Sequence, residues 1–460
     1  MKTQKLTVLE KVGFGAGDMA VNVVISSMFL IVSFFYTDIF GLKPAHMGIL
    51  FLATRLIDAV TDPLMGILTD RWKSERFGRF RPYFLYLSVP FGVSVFLMFT
   101  TPDWDYGAKL VWAYATYILV TLMFTSVTIP YISLIGVLTS DPQERLSANG
   151  YRLFFAKVAA FMVTSIVPIL AVKWGGGDLA RGYQLAMGLM AGIATLMFLF
   201  CFATTTERVE HEVETKPFGE QVKLLFRNDQ WLILCGVCLT GTLGYVIRGS
   251  VAAYYAKYYL AGDEKIISAF LTTGVVAAIL AMVASTWITK RWCKVQLFRW
   301  SQLGVGVLSV VLYFAVGGPD DIMLAFVLYF LLSFVVDLHA PVFWSAIAEA
   351  VDYGQAKTGK RVSGLAFGGI SFFQKAGMGL AGFVVGMLLT FYGFEANVEQ
   401  TERSLAGIAL MLSIIPAVFH VTMGLLMFGY RITDKYYNDM KSKGLIEDET
   451  PEYISETPLP

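Results

Sequence analysis

Asp58, Thr61 and Asp62 lie within the stretch Thr54-Arg-Leu-Ile-Asp-Ala-Val-Thr-Asp-Pro-Leu-Met-Gly66. Their i, i+3, i+4 spacing puts two carboxylates and a hydroxyl on one face of a helix. Two carboxylates that close in a low dielectric do not both stay ionised without a counter-charge, so this face suits a monovalent cation or an exchangeable proton. The structural alternative is that Arg55, on the same side, neutralises one aspartate. Arg152, Arg248, Asp337, His339 and Lys375 also stand in or beside apolar sequence. The two arginines and the lysine can donate to the oxygens of a polar solute; equally, Asp337 can pair with Lys375 or Arg248 in a purely organising bridge. His339 alone reads as a packing residue. Thr121, Thr125 and Thr128 recur at i, i+4, i+7 and either face a site or back-bond to their own helix. Asp18, Asn22 and Ser26 share another face; Asp18, near one end, reads as structural and Asn22 as deeper. Trp344 and Tyr254 are candidates to stack on the apolar face of a bound ring.

The elements that hold these residues are membrane spans. Hydrophobic residues make up 56% of the 460, charged residues only 15%, and the mean hydropathy is +0.61, so lipid must cover much of the surface. Apolar segments long enough to cross a bilayer fall near 12–37, 46–70, 82–100, 108–138, 147–172, 183–204, 229–259, 266–288, 298–317, 321–352, 361–391 and 404–430. The expected fold is an all-α integral membrane bundle of about twelve spans, numbered 1 to 12 from here on. Lys and Arg in the connections number about 25 on the side of both termini against about 7 on the other, which predicts cytoplasmic termini. The polar stretch with Glu207-Arg-Val-Glu-His-Glu-Val-Glu separates six spans from six. The expected organisation is a six-helix bundle over 1–204, a cytoplasmic linker over 205–228 with an amphipathic stretch near 218–225, a second bundle over 229–430 and a polar tail over 431–460. Parallel repeats of this kind resemble the major facilitator architecture, with its solute site between the halves.

Composition also excludes. The net charge is +1 with no basic domain, so nucleic acid is no partner. Cys201, Cys235, Cys238 and Cys293 lie in or beside apolar sequence, and the Cys235/Cys238 pair lacks a second ligand pair, so all four read as packing thiols. The first apolar stretch is too long for a signal h-region and reads as retained. No nucleophile–base set, metal cluster or nucleotide loop marks an enzyme, and no cofactor is expected.

Several stretches are shared with one family. Gly13-Phe-Gly-Ala-Gly-Asp18, Phe35-Tyr-Thr-Asp-Ile-Phe-Gly41, Arg55-Leu-Ile-Asp-Ala-Val-Thr-Asp-Pro63, Gly78-Arg-Phe-Arg-Pro82, Thr128-Ile-Pro-Tyr131, Val351-Asp-Tyr-Gly354 and Phe372-Phe-Gln-Lys375 occur in order along nearly the whole chain. Together they resemble the glycoside–pentoside–hexuronide:cation symporters, the family of melibiose permease. The resemblance implies a bacterial cytoplasmic (inner) membrane protein that couples sugar or glycoside transport to Na⁺ or H⁺, working as a monomer. It implies a cation site at Asp58, Asp62, Thr61 and Thr125, matching the helical-face reading. It places Asn22 and Thr128 where melibiose permease has sugar-gripping aspartates and Ile132 where it has a tryptophan, while Arg152 and Lys375 match. Without those two carboxylates a cavity lined by Asn22, Thr128, Arg152, Arg248, Lys375 and Trp344 is expected to be net positive. That favours an anionic glycoside, such as a hexuronide or a sulfonated sugar; a neutral pentoside or oligosaccharide is the alternative, and a lipid or lysolipid the rival cargo. Loops around Gly78-Arg79 and Lys357–Arg361 are expected to close the cytoplasmic side by pairing with groups such as Asp70 and Asp352.

Overall fold

A computed structural model describes residues 5–139, 142–209, 218–360, 362 and 364–443. Among the described residues regular structure is helical, apart from one bridge between Ser74 and Gly78. Eleven helical segments are long and apolar enough to cross a membrane. The twelfth, Pro44–Arg71, has 28 residues, or about 42 Å at 1.5 Å per residue, and differs in carrying Arg55, Asp58 and Asp62 along its length.

Span 1 is Val8–Leu30, span 2 Pro44–Arg71, span 3 Arg81–Met98, span 4 Tyr106–Leu138, span 5 Pro142–Gly175 and span 6 Leu179–Thr204. Span 7 is Asp229–Tyr254, span 8 Glu264–Ile288, span 9 Lys294–Ala315 and span 11 Gly364–Phe391. Span 10 runs as Ile322–Asp337 and resumes as Ala340–Thr358; span 12 runs as Glu402–Leu412 and Ile414–Leu426. Capping fixes many of the starts: Thr7 and Glu10 form a reciprocal capping box, and Asp105, Asp178, Asn228, Asp263 and Thr401 each accept a free backbone N–H of their helix. Spans 4 and 5 are longer than a bilayer needs, because their helices continue past the apolar stretch. The linker helix Phe218–Phe226 covers the amphipathic stretch, whereas residues 210–217 of the linker and 444–460 of the tail lie outside the described residues.

Span 1 packs on spans 5 and 6, span 3 on spans 4 and 6, span 7 on spans 11 and 12, and span 9 on spans 10 and 12. Two seams join the first six spans to the last six: span 2 against span 11, and span 5 against span 8. Adding six to the number of spans 2 and 5 turns one seam into the other. A matching local feature shows the same repeat, since a five-residue π-helical turn ends span 1 at Phe35–Ile39 and span 7 at Tyr255–Tyr259.

The seams are wedge-shaped. Near Pro44, spans 2 and 11 nearly touch backbone to backbone: a Cβ on Gly386 would lie 2.4 Å from the Pro44 carbonyl oxygen and 2.8 Å from the Gly48 Cα. The approach continues through Gly382 on Phe51 and Gly379 on Arg55, while Gly66 and Gly368, further along, face open space. The end near Pro44 is locked by Asp38, whose fully buried side chain meets Lys257 at 2.8 Å and also accepts from Tyr258 and Thr37. Asn397 donates to the Asp38 carbonyl and accepts from Lys257 at 2.7 Å, and Thr37 pairs with Tyr254. At the end bearing the termini, the ion pairs among described residues stay within one half: Lys11–Glu144, Glu10–Arg208, Lys294–Glu349 and Lys357–Asp229. Among the described residues, then, the halves are pinned together at the end near Pro44, and no ion pair joins them at the other.

Candidate functional site

The carboxylate face of span 2 meets both neighbours that its chemistry requires. Thr125 of span 4 donates to Asp62 Oδ1 at 2.9 Å, and Lys375 of span 11 pairs with the other Asp62 oxygen across the seam. Arg55 Nη1 sits 2.6 Å from Asp58 Oδ2, so the local neutralisation that the sequence left open does occur. Both oxygens of Asp62 are thus met, but only one of the Asp58 oxygens is. Asp58 is 2% exposed, and both its Oδ1 and the Thr61 Oγ1 are buried without a hydrogen-bond partner among the described residues. A buried acceptor left bare costs about 1–3 kcal/mol, more if charged. An oxygen-only donor set of this kind suits a hard monovalent cation or a proton.

Between the halves, spans 1, 5, 7, 8 and 10 line a cavity of about 200 Å³. Asn22 and Arg248 line it; Arg152, Thr128, Lys375 and Trp344 do not. Arg152 turns to Asp18, with Nε 3.0 Å from Oδ1, and Asn22 donates to the other Asp18 oxygen at 3.0 Å. Asp18, expected to be structural, is thus the hub of a polar triad between spans 1 and 5. Thr128, on span 4, has a buried hydroxyl without a hydrogen-bond partner among the described residues. Trp344 is half-exposed, edge-on to Phe343, and Tyr254 is fully buried in the closed end. Neither aromatic lines the cavity, because Trp344 falls beyond the break in span 10 and Tyr254 abuts the π-helical turn.

The bridge from Asp337 to Lys375 or Arg248 does not form. Lys375 is taken by Asp62, and Arg248 donates to the Leu412 carbonyl at 3.1 Å and to Ser309 at 3.4 Å. His339 stays with packing: its ring contacts the Val336 carbonyl one turn back and meets Phe298 edge-on at 4.9 Å. Lys157 lines the cavity and went unremarked in sequence, although a lysine within the apolar run of span 5 is the same signal that marked Lys375. His420, paired with Gln302 at 3.0 Å, was likewise legible as an isolated polar group in span 12. The expected positive charge therefore has a different origin. Asp18 and Asp62 neutralise Arg152 and Lys375, and the cavity wall itself carries Arg248 and Lys157 against Asp337, two positive charges less one negative.

Around the loops expected to close the cytoplasmic side, the described contacts are these. Gly78 lies at φ +88° so that Glu207, from the linker, accepts the backbone N–H groups of Arg79, Phe80 and Arg81 at 2.8, 2.7 and 3.0 Å. Lys357 pairs with Asp229, and Lys360 with Glu220, while Asp352 accepts from Tyr437 at 2.6 Å. The side chain of Asp70 and the whole of Arg361 lie outside the described residues.

A membrane-spanning helical bundle with an incomplete carboxylate site on one seam between its halves, and a cavity walled by both, defines a solute transporter. Residues 13–434 match the family described as MFS/sugar transport protein, and the chain belongs to that family. It is 34% identical over 439 residues to the inner membrane symporter YicJ of Escherichia coli (strain K12), covering 95% of this chain and 93% of that one. It is 33% identical over 430 residues to the isoprimeverose transporter of Lactiplantibacillus pentosus, covering 92% and 88%. Among solved structures, the D-xylose-proton symporter shares the fold at a TM-score of 0.62 and 13% identity, over 92% of this chain and 96% of that one.

Proposed function

We propose that this protein carries a sugar or glycoside together with Na⁺ or H⁺ across a bacterial inner membrane by alternating access. In this reading residues 1–204 and 229–430 rock against each other as two bundles joined by the linker, both termini are cytoplasmic, and the structure is the inward-open state. The functional unit is a single copy in the bilayer. The observation that carries the proposal is the Asp62–Lys375 contact, which ties the two halves together at one seam of a bundle whose halves also build a cavity between them.

Coupling follows from competition for Asp62. An arriving cation takes the open oxygens of Asp58 and Thr61 and shares Asp62 with Thr125; Lys375, a tethered cation at the same carboxylate, is then displaced. Its release loosens the seam between spans 2 and 11 and frees an ammonium for solute oxygens. Solute bound between the halves replaces the lost cross-seam attraction, so the doubly loaded carrier can reorient while the ion-only carrier is held back. Linkage makes the assistance mutual. The net positive cavity wall favours an anionic sugar over a neutral one. The symporter names of the relatives support the cation, and the isoprimeverose transporter supports a glycoside.

The test is uptake of labelled D-xylose, isoprimeverose, D-glucuronate and a lysophospholipid into proteoliposomes under imposed Na⁺ or proton gradients. Gradient-driven accumulation of a sugar, strongest for the glucuronate, is the expected result. Equal competition by neutral sugars removes the anionic preference, and accumulation of the lysolipid alone removes the sugar.

A further inference from the structure

Asp337 is the carboxylate that coupling leaves unused. It lies at the last turn of the first segment of span 10, is 8% exposed, lines the cavity, and makes no hydrogen bond or ion pair with any described residue. Arg248, on the same wall, gives its hydrogen bonds to Leu412 and Ser309 and meets Asp337 through its charge alone, while Lys375 is taken by Asp62. The Asp337 oxygens face the cavity, so a hydroxyl entering there meets an acceptor that no described side chain occupies. Lys157, on span 5 in the other half, lines the same cavity and is equally without a described partner.

The wall around Asp337 is preformed. Tyr329, two turns before it, is clamped flat on Phe270 with ring centroids 4.1 Å apart, and Gly274 faces the Tyr329 hydroxyl where a Cβ would approach to 3.0 Å. Ser333, one turn from both, adds a buried hydroxyl. A cavity of about 200 Å³ leaves room for a sugar ring against this wall.

We propose that Asp337 is a specificity-determining residue of the solute site, accepting hydroxyl groups of a bound sugar ring, and that Lys157 faces the opposite, electronegative edge of that ring. This deepens the sugar-carrier reading and rests on it. The acceptor for sugar hydroxyls then comes from the second half, while the Asp18–Arg152–Asn22 triad of the first half is satisfied within itself. A ring held from both halves also gives solute binding its pull on the seam.

The experiment is counterflow of D-xylose, isoprimeverose and D-glucuronate into proteoliposomes of the wild type, Asp337→Asn and Lys157→Gln, followed by monodeoxy analogues of whichever sugar is carried. Charge-assisted hydrogen bonds imply that Asp337→Asn raises the counterflow KM by about tenfold or more, with the ion concentration for half-activation unchanged. One deoxy analogue is penalised in the wild type but not in Asp337→Asn, and Lys157→Gln narrows the gap between D-glucuronate and the neutral sugars. An unchanged KM, or a lost ion dependence with KM intact, overturns the assignment. Wild-type protein that carries no sugar at all overturns the carrier reading instead. Because Asp337→Asn can fail to fold, native protein is also labelled with an apolar carbodiimide: sugar must protect Asp337 in the peptide map, and equal labelling with and without sugar refutes its role.

Discussion

Removing the ammonium of Lys257 should open the closed end of the molecule. Asp38 has a fully buried side chain, and Lys257, with about a quarter of its own side chain exposed, is its only ionic partner among the described residues. Truncating one member of a buried pair costs about 3–5 kcal/mol because the remaining charge is stranded. The partial exposure of Lys257 and the surviving bonds from Tyr258 and Thr37 argue for the low end, about 3 kcal/mol. That penalty falls only on the state in which the halves meet at this end, so it shifts the balance of states on the order of 100-fold towards the opposite opening. Spin labels at Asp105 and Asp320, exposed on the two halves at this end, report the change by pulsed double-resonance distances once Cys293 has been replaced. Lys257→Ala should move the distribution to longer distances, and Asp38→Asn added to it should restore much of the short component, since a neutral pair strands no charge. An unchanged distribution in Lys257→Ala, or one that Asp38→Asn worsens, would refute the latch.

Gly78→Ala forces a Cβ to within 2.6 Å of the Glu207 carboxylate at a positive φ, so thermal unfolding should show a loss of about 2 kcal/mol or more; Gly66→Ala, facing open space, serves as the quiet control. Gly386→Ala wedges spans 2 and 11 apart at their closest backbone approach, and should reduce transport while leaving ion binding intact, as read by ion-dependent protection against unfolding. Arg152→Gln strands the buried carboxylate of Asp18 and should destabilise the protein by about 3 kcal/mol, whereas Arg152→Gln with Asp18→Asn should recover most of that in the same unfolding assay.

Much of this was written locally in the chain. Hydrophobic length located the spans, and the i, i+3, i+4 spacing of Asp58, Thr61 and Asp62 marked the one span too charged to pass as ordinary lipid-facing helix. What stayed hidden was partnership across the fold. Lys375 is 313 positions from Asp62, and nothing local distinguishes that carboxylate from Asp337 as its mate. Asp18 looked like an end group because its depth depends on Arg152, 134 positions away, bending in from span 5. Trp344 and Tyr254 were chosen for their chemistry, but a break in span 10 and a π-helical turn after span 7 decide where those rings point, and neither leaves a strong compositional trace. Glu207 looked like one member of a solvated acidic run, yet three backbone donors after Gly78 single it out.

The central claim, that the span 2 carboxylates couple an ion gradient to solute movement, is tested most directly by one comparison. Proteoliposomes containing the wild type, Asp58→Asn or Asp62→Asn are assayed for gradient-driven accumulation and for downhill counterflow of the same labelled sugar. Loss of accumulation in both variants with counterflow at least partly retained is the predicted result. Full gradient-driven accumulation in both would contradict it and remove this face of span 2 from the mechanism.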